Sequence, residues 1–271
     1  ADESLADFSC RRFGRETYER LIQPLIGGIY TADPQKLSMR ATMRQFVEME
    51  REHGSLIRGM RRAARKQAAH ATGAEQKASG ARYALFVAPR EGMSSLVAAI
   101  AERLPPAAIR LQTPIVAVRQ DADRRWTVIS EPTVGERREE TFDAVIIAAP
   151  GHRATRIVES VDADLARLIG QIPHAGAAVV VAAYRRADVR HQLDGFGFVA
   201  PLREKRRILS GSLSSVKFPG RAPEDLVLMR AFLGGACQPE LLDYSDPQLL
   251  EAAHEELAAA VREVGEKLID T

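Results

Sequence analysis

The chain has 271 residues, 45% of them hydrophobic and 27% charged, a composition that supports a buried core and excludes an intrinsically disordered protein. Its 38 basic and 36 acidic residues leave a net charge of +2, which excludes whole-chain electrostatic binding to nucleic acid. Two cysteines are too few for a disulfide framework, and no apolar run is long enough for a membrane span. Because the first residues lack a basic start followed by an apolar run, we expect no signal peptide.

The first 80 residues predict a helical unit. A helix capped by Ser4 is expected to end at Gly14, and a second one, from about Arg15 to Leu25, is expected to break at Gly27-Gly28. Residues 36–66 have the spacing of an amphipathic helix that ends in a basic cluster. The members of this cluster are Arg58, Arg61, Arg62, Arg65 and Lys66. The cluster indicates either a solvated helix face or a contact with anionic lipid or substrate.

An exposed connection is expected at residues 67–80, and residues 81–150 then have an α/β pattern. The elements expected there are an extended segment at Tyr83–Val87, a helix from about Ser94 to Leu104, strands at Ile109–Leu111, Ile115–Val118 and Trp126–Ile129, and a polar loop at Glu131–Thr141. The run Phe142–Ala149 is apolar without alternation, which predicts a strand buried on both faces and stopped by Pro150. Small residues at such a strand end let the backbone approach a cofactor.

Residues 151–271 have an α+β pattern. The elements expected there are a helix at residues 161–170, strands at Ala178–Tyr184, residues 207–213 and Leu226–Phe232, and a last helix from about Gln248 to Lys267. The whole chain is therefore predicted as a mixed α/β and α+β protein with three segments, residues 1–80, 81–150 and 151–271.

Residues Gly195–Ala200 match the dinucleotide-binding pattern G-x-G-x-x-G/A, but their surroundings differ from those of a phosphate-binding loop. That pattern binds phosphate only between a strand and a helix, whereas here a turn precedes it and Pro201 follows. We interpret it as a loop or strand that approaches a ligand or backbone closely. The six histidines lack metal-ligand spacing and no serine lies in G-x-S-x-G, so we expect neither a metal site nor a side-chain catalyst.

A series of landmarks, in this order, resembles the oxygen-dependent protoporphyrinogen oxidase family of the flavin amine oxidase-like superfamily. The resemblance covers roughly residues 4–260. The landmarks are Ser4–Gly14, Gln23–Pro34, Leu37–Arg40, Gly92–Leu96, Thr113–Val116, Asp143–Pro150, Gly195–Pro201, Lys217–Pro223 and Phe232–Ala236.

The resemblance implies an FAD enzyme of haem synthesis that oxidises protoporphyrinogen IX to protoporphyrin IX, passing hydride to the flavin, which oxygen reoxidises. It implies a partial FAD-binding, Rossmann-like domain, a helical membrane-associated domain and a sheet-based substrate domain. The residues implied to bind cofactor are Ile115, Ala148, Ala149 and Pro150. Those implied to line the substrate pocket are Gly197, Val199 and Phe232. Core packing is the alternative for Val199 and Phe232.

The resemblance also implies peripheral attachment to a membrane surface, which favours the lipid interpretation of the basic cluster. We therefore expect a cytoplasmic protein on the inner face of the cell membrane, with porphyrinogen and oxygen as partners and no nucleic acid. A homodimer is left open.

Family features are missing at both ends of the chain. Relatives begin with a strand and a glycine-rich loop for the FAD pyrophosphate, and they have a substrate arginine before the helical domain and a closing C-terminal segment. We therefore expect an internal portion of an oxidase that is inactive alone and binds FAD weakly or not at all. The alternatives are oxidation of coproporphyrinogen III to coproporphyrin III, another substrate of the wider flavin oxidase group, and a non-catalytic module that binds tetrapyrrole or membrane.

Overall fold

The computed structural model describes residues 2–70 and 88–269, with side chains described for residues 2–65 and 88–261. The segment Tyr83–Val87 and residues 71–80 of the expected connection lie outside the described residues. The described residues form a mixed α/β protein with two sheets, which confirms the mixed class. Tertiary contacts divide the chain into two compact units. Unit 1 is Ala1–Ala64 with Ala175–Thr271, and unit 2 is Arg65–His174.

The first helix of unit 1, α1, spans Leu5–Phe13, as its capping pattern predicts. The Ser4 hydroxyl accepts a hydrogen bond from the Asp7 N–H at 3.0 Å, and Gly14 ends the helix with a φ of +83°. This glycine is required there because other residues rarely adopt that conformation. The helices of this segment share a small apolar core. Its buried side chains are Leu5, Phe8, Ile26, Met39 and Leu56.

The next helical stretch is longer than expected. It runs without interruption through α2 (Arg15–Thr17), a π-helical turn (Tyr18–Ile22) and α3 (Gln23–Tyr30). The break expected at Gly27-Gly28 was therefore wrong. A Cβ at Gly28 would lie 3.5 Å from Val199 Cγ1, so the glycine lets the helix approach another segment of unit 1 closely.

Residues 36–66, expected to form one amphipathic stretch, are divided among three helices. These are α4 (Met39–Thr42), α5 (Arg44–His53) and α6 (Leu56–His70). Gly54 separates the last two, with a φ of +63° and an N–H that donates to the carbonyl of Glu50. The basic cluster lies on α6, as expected.

Unit 2 contains α7 (Met93–Ala101) and a three-stranded antiparallel meander of β1 (Ile115–Gln120), β2 (Trp126–Ser130) and β3 (Arg138–Phe142). The first two strands were expected. The third strand was not, because its residues are mostly charged and were assigned to the loop at Glu131–Thr141. It is an edge strand whose charged side chains are mostly exposed to solvent.

Two strands expected in unit 2 are absent from the described residues. Residues 109–111 follow a 3₁₀ turn and pair with no strand, and residues 144–149 form no strand either. Ile146 is 93% exposed, so the expectation of a buried strand there was wrong. A strand needs partners for its backbone groups, and no parallel strand among the described residues supplies them. The part of unit 2 that is described therefore contains no Rossmann-like sheet.

Two helices complete unit 2. They are α8 (Gly151–Val158), which the sequence analysis did not anticipate, and α9 (Ala163–Gly170). Asp162 caps α9, since its carboxylate accepts a hydrogen bond from the Leu165 N–H at 2.8 Å.

The sheet of unit 1 has four strands, and all neighbouring pairs are antiparallel. Its strands are β4 (Ala177–Arg185), β5 (Gly197–Val199), β6 (Ser210–Leu213) and β7 (Leu226–Gly234). The spatial order is β4-β7-β6-β5. These strands confirm the expected ones, although β6 begins at Ser210 and not at 207. The G-x-G-x-x-G/A match forms β5 and opens no helix, as expected.

One face of this sheet is the core of unit 1. After the short helix α10 (Ser214–Lys217), the long helix α11 (Asp246–Ile269) supplies Ala252, Ala253 and Leu257 to a buried cluster. From the sheet, the cluster contains Ala231 and Leu233 of β7, both with no exposed surface. The helical segment, expected as a unit of its own, shares unit 1 with this sheet.

Candidate functional site

The second face of the four-stranded sheet is the candidate substrate site. Successive side chains of a strand point to opposite faces of the sheet. The strand residues that alternate with the core residues therefore lie on the face away from α11. We call this side the open face. Its main residues are Val179, Val181, Gly197, Val199, Arg230 and Phe232.

The strand register brings the three substrate candidates together. Phe232 pairs with Val179 on one side and with Ser210 on the other, and Ser210 pairs with Val199. Val199 and Phe232 therefore lie in one row across four strands. Gly197 lies in the next row, which also contains Arg230 of β7.

The open face is apolar and partly uncovered. Val179 is 50% exposed and Val181 54% exposed, whereas α3 approaches the opposite edge of the sheet, where Gly28 lies against Val199 and Ser210. Neither Val199 nor Phe232 belongs to the buried core cluster. A shallow apolar surface beside a helix can hold a flat ring system.

Arg230 also lies on the open face and was not predicted as a site residue. Its Nε donates a hydrogen bond to the Ser214 hydroxyl at 2.9 Å, and its guanidinium carbon lies 5.7 Å from the centroid of the Phe232 ring. The alternation of β7 could have found it, since an arginine two residues before Phe232 must lie on the same face.

The cofactor candidates meet in unit 2, at a cavity of about 360 Å³. Its lining includes Ile115, Ala148 and Ala149, together with apolar side chains of the meander and α8. Pro150 does not line this cavity but precedes the first residue of α8, as its N-cap. Three of the four cofactor candidates are therefore brought together.

The residues around this cavity fit only part of an FAD molecule. The lining of the cavity is apolar, so it can contact a ring of the cofactor. No described backbone carbonyl accepts a hydrogen bond from the N–H groups of residues 144–149, so these groups are available to a ligand. A pyrophosphate requires a glycine-rich turn that opens a helix, and in the described residues the one matching pattern forms β5. The described residues therefore fit the apolar part of the cofactor and not its pyrophosphate.

The basic cluster on α6 is exposed. The side chains of Arg58, Arg61, Arg62 and Arg65 reach solvent and form no ion pair with a described carboxylate. Lys66 lies on the same helix, outside the residues whose side chains are described. Exposed Ile57 and Met60 lie among the arginines. No helix in the described ranges combines the length and hydropathy that crossing a bilayer requires.

The chain is similar in sequence to known proteins. The family model for flavin containing amine oxidoreductases matches residues 1–269. The chain is 29% identical to a mitochondrial protoporphyrinogen oxidase of Nicotiana tabacum, over 97% of this chain and 55% of that protein. It is 28% identical to a coproporphyrinogen III oxidase of Bacillus subtilis (strain 168), over 98% of this chain and 54% of that protein.

A solved structure has the same fold. The crystal structure of a candidate protoporphyrinogen oxidase from Exiguobacterium sp. 255-15 superimposes with a TM-score of 0.73 at 25% identity, covering 96% of this chain and 51% of that one. The chain thus spans about half the length of the relatives it matches. Since the family model matches nearly every residue, the chain belongs to the flavin containing amine oxidoreductase family.

Proposed function

We propose that the protein containing this chain oxidises protoporphyrinogen IX to protoporphyrin IX, with FAD as cofactor and oxygen as the final acceptor. The observation that carries this proposal is that Val199 and Phe232 share one partly uncovered apolar sheet face, in a chain whose relatives are named porphyrinogen oxidases. A porphyrinogen is a large ring of four pyrroles, and an apolar face of this kind suits it.

The chain's own residues bind and orient in this proposal. Gly197, Val199 and Phe232 contact the tetrapyrrole, and the apolar floor excludes water from it. Ile115, Ala148, Ala149 and Pro150 border the cofactor in unit 2. When bound, FAD supplies hydride acceptance and reoxidation by oxygen. None of the described side chains is assigned to acid–base catalysis.

Coproporphyrinogen III is the second candidate substrate. It is favoured by the two bacterial relatives named coproporphyrinogen III oxidase, from Bacillus subtilis (strain 168) and Staphylococcus aureus (strain NCTC 8325 / PS 47). Protoporphyrinogen is the preferred substrate because several plant relatives, among them the mitochondrial enzyme of Nicotiana tabacum, are named protoporphyrinogen oxidase.

We also propose that the basic cluster on α6 binds the anionic inner face of the cell membrane, in the cytoplasm. Four exposed arginines together with Ile57 and Met60 give this helix the charge and apolar surface of an interfacial helix. A homodimer is compatible with this arrangement and no described contact bears on it.

The test of the proposed reaction uses the complete gene product that contains this chain. Porphyrin fluorescence follows the oxidation of protoporphyrinogen IX and of coproporphyrinogen III, with FAD and air, above the spontaneous rate. We expect the higher kcat/KM with protoporphyrinogen IX. A higher value with coproporphyrinogen III would establish the second candidate, and porphyrin binding without oxidation of either would indicate a non-catalytic binding module.

A matched pair of variants tests the open face in the same assay. Phe232→Ala should raise KM roughly tenfold by removing a large aromatic contact. Phe13→Ala removes an exposed phenylalanine at the end of α1 and should leave KM unchanged. Equal KM values in the two variants would remove Phe232 from the substrate site.

A further inference from the structure

We propose that Arg230 binds a carboxylate of the tetrapyrrole on the open face and so determines how the substrate is oriented. This inference rests on the proposed function, because it takes the occupant of the open face to be a tetrapyrrole. Protoporphyrinogen and coproporphyrinogen both carry propionate side chains, so both would present a carboxylate to this residue.

The charge of Arg230 has no described acidic partner. Among the described residues, no carboxylate lies within ion-pair distance of Arg230. Two other half-buried arginines of unit 1 have acidic partners, since Arg206 meets Glu256 at 2.6 Å and Arg207 pairs with Glu255. The half-buried Arg186 donates instead to the backbone carbonyls of Val189 and His191. A half-buried guanidinium without an acidic neighbour is costly, and an anionic ligand would offset that cost.

The guanidinium of Arg230 is held by a single hydrogen bond to a side chain. The bond from Arg230 Nε to the Ser214 hydroxyl uses one donor of the planar fork. The two terminal nitrogens remain as a pair, and a pair of parallel N–H groups matches the two oxygens of a carboxylate. Ser214 is buried, so its hydroxyl fixes the side chain before a ligand arrives.

Arg230 also lies beside an apolar surface. Arg230 pairs with Val181 and lies over the ring of Phe232, with the exposed Val179 in the neighbouring row. A ligand that covers these side chains and also reaches the guanidinium combines an apolar body with an acidic substituent. A carboxylated tetrapyrrole is such a molecule, whereas a free inorganic anion would leave the apolar surface exposed.

The experiment compares coproporphyrin III with its tetramethyl ester, which has the same ring without charge. Both are titrated into the purified complete gene product that contains this chain, in one detergent buffer, and binding is followed by porphyrin fluorescence. Arg230→Gln should weaken binding of the acid about 10- to 100-fold, the loss expected for a charge-assisted hydrogen bond, and leave ester binding unchanged. Arg230→Lys should lie between the wild type and the Gln variant, because it keeps the charge without the planar fork.

The matched control is Arg207→Gln. Arg207 pairs with Glu255 on α11, the helix that packs on the opposite face of the same sheet, so its loss should not change binding of the acid. Circular dichroism verifies that each variant is folded. If Arg230→Gln does not fold, Ser214→Ala releases the guanidinium from its anchor and should weaken binding of the acid alone.

The titrations test the contact of Arg230 separately from the porphyrin site itself. Equal weakening of acid and ester in Arg230→Gln, or no weakening of either, would overturn the contact between Arg230 and a carboxylate while leaving the open face as the porphyrin site. Binding of neither porphyrin by the wild-type protein would overturn both this inference and the substrate surface of the proposed function.

Discussion

The side-chain amide oxygen of Gln23 accepts a hydrogen bond from the backbone N–H of Leu202 at 3.1 Å. Gln23 begins α3, and Leu202 follows the short edge strand β5. The bond spans 179 positions of the chain and joins the helical segment of unit 1 to its sheet. Gln23 is buried, and a buried amide is stable only when it is hydrogen-bonded. This contact therefore fixes α3 beside the open face.

Replacement of this amide should destabilise unit 1. Gln23→Leu leaves the Leu202 N–H without its acceptor, and we expect the free energy of unfolding to fall by about 1–3 kcal/mol. Urea denaturation followed by circular dichroism measures the change. Gln35→Leu, at an exposed position, should stay within about 0.5 kcal/mol of the wild type. Equal losses in the two variants would show that the hydrogen bond does not stabilise the unit.

Gly211 of β6 should not tolerate a larger side chain. A Cβ there would lie 2.3 Å from Cε1 of Phe198, so Gly211→Ala must displace the ring and should cost about 1–3 kcal/mol of unfolding free energy. Gly195→Ala is the control, since no described atom lies within 4 Å of its Cβ position. Thermal denaturation compares the two variants.

A double-mutant cycle identifies the cause of that loss. In the Phe198→Leu background the ring is absent, so Gly211→Ala should cost clearly less than it does in the wild type. An unchanged cost would mean that the backbone of β6, and not the Phe198 ring, makes the glycine necessary.

Unit 1 should lose stability in alkaline solution because of Tyr18. Burial raises the pKa of Tyr18 from its ordinary value of 10.0 to about 12. The folded state therefore holds this proton more tightly than the unfolded state, and the resulting stability is present below pH 10 and is lost as the pH rises from 10 to 12. Urea midpoints over this range should fall less steeply in Tyr18→Phe than in the wild type. Parallel curves for the two proteins would exclude a contribution from Tyr18.

The 271-residue chain should bind FAD weakly or not at all. The described part of the chain offers an apolar cavity beside residues 144–149 but no glycine-rich turn that could hold the pyrophosphate. Quenching of FAD fluorescence during titration measures the affinity. A stoichiometric flavin spectrum that persists through purification would contradict this prediction.

The chain should bind vesicles that contain phosphatidylserine and not neutral phosphatidylcholine vesicles. Each basic side chain near an anionic surface contributes about 1 kcal/mol, and the attraction is screened by salt. Pelleting should therefore decrease as the salt concentration rises. It should also decrease strongly in a fourfold Arg→Gln variant at Arg58, Arg61, Arg62 and Arg65.

A second fourfold variant controls for the loss of net charge. It removes four exposed arginines that are already paired with carboxylates, namely Arg15, Arg20, Arg44 and Arg167. We expect this variant to pellet nearly as the wild type does. Similar losses in the two variants would indicate a general charge effect and not a specific surface on α6.

Short sequence patterns correctly predicted the elements that are stabilised by neighbouring residues or by a regular run of apolar side chains. The cap at Ser4, the stop at Gly14 and the strands β4 and β7 follow from capping chemistry and from continuous apolar runs. The same patterns misled at Gly28, where the glycine serves a long-range contact with Val199 and does not break the helix. They also misled at residues 144–149, where an apolar run has no described strand beside it.

The sequence by itself predicted the mixed class from composition and periodicity, which are local properties of the chain. Its resemblance to a known family predicted the family and implied the separate substrate candidates Gly197, Val199 and Phe232. Only the tertiary structure decided that Val199 and Phe232 share a row and that Arg230 lies beside them without a described acidic partner. The physical reason is register, since the pairing of four strands depends on long-range hydrogen bonds and on the side chains that each face buries.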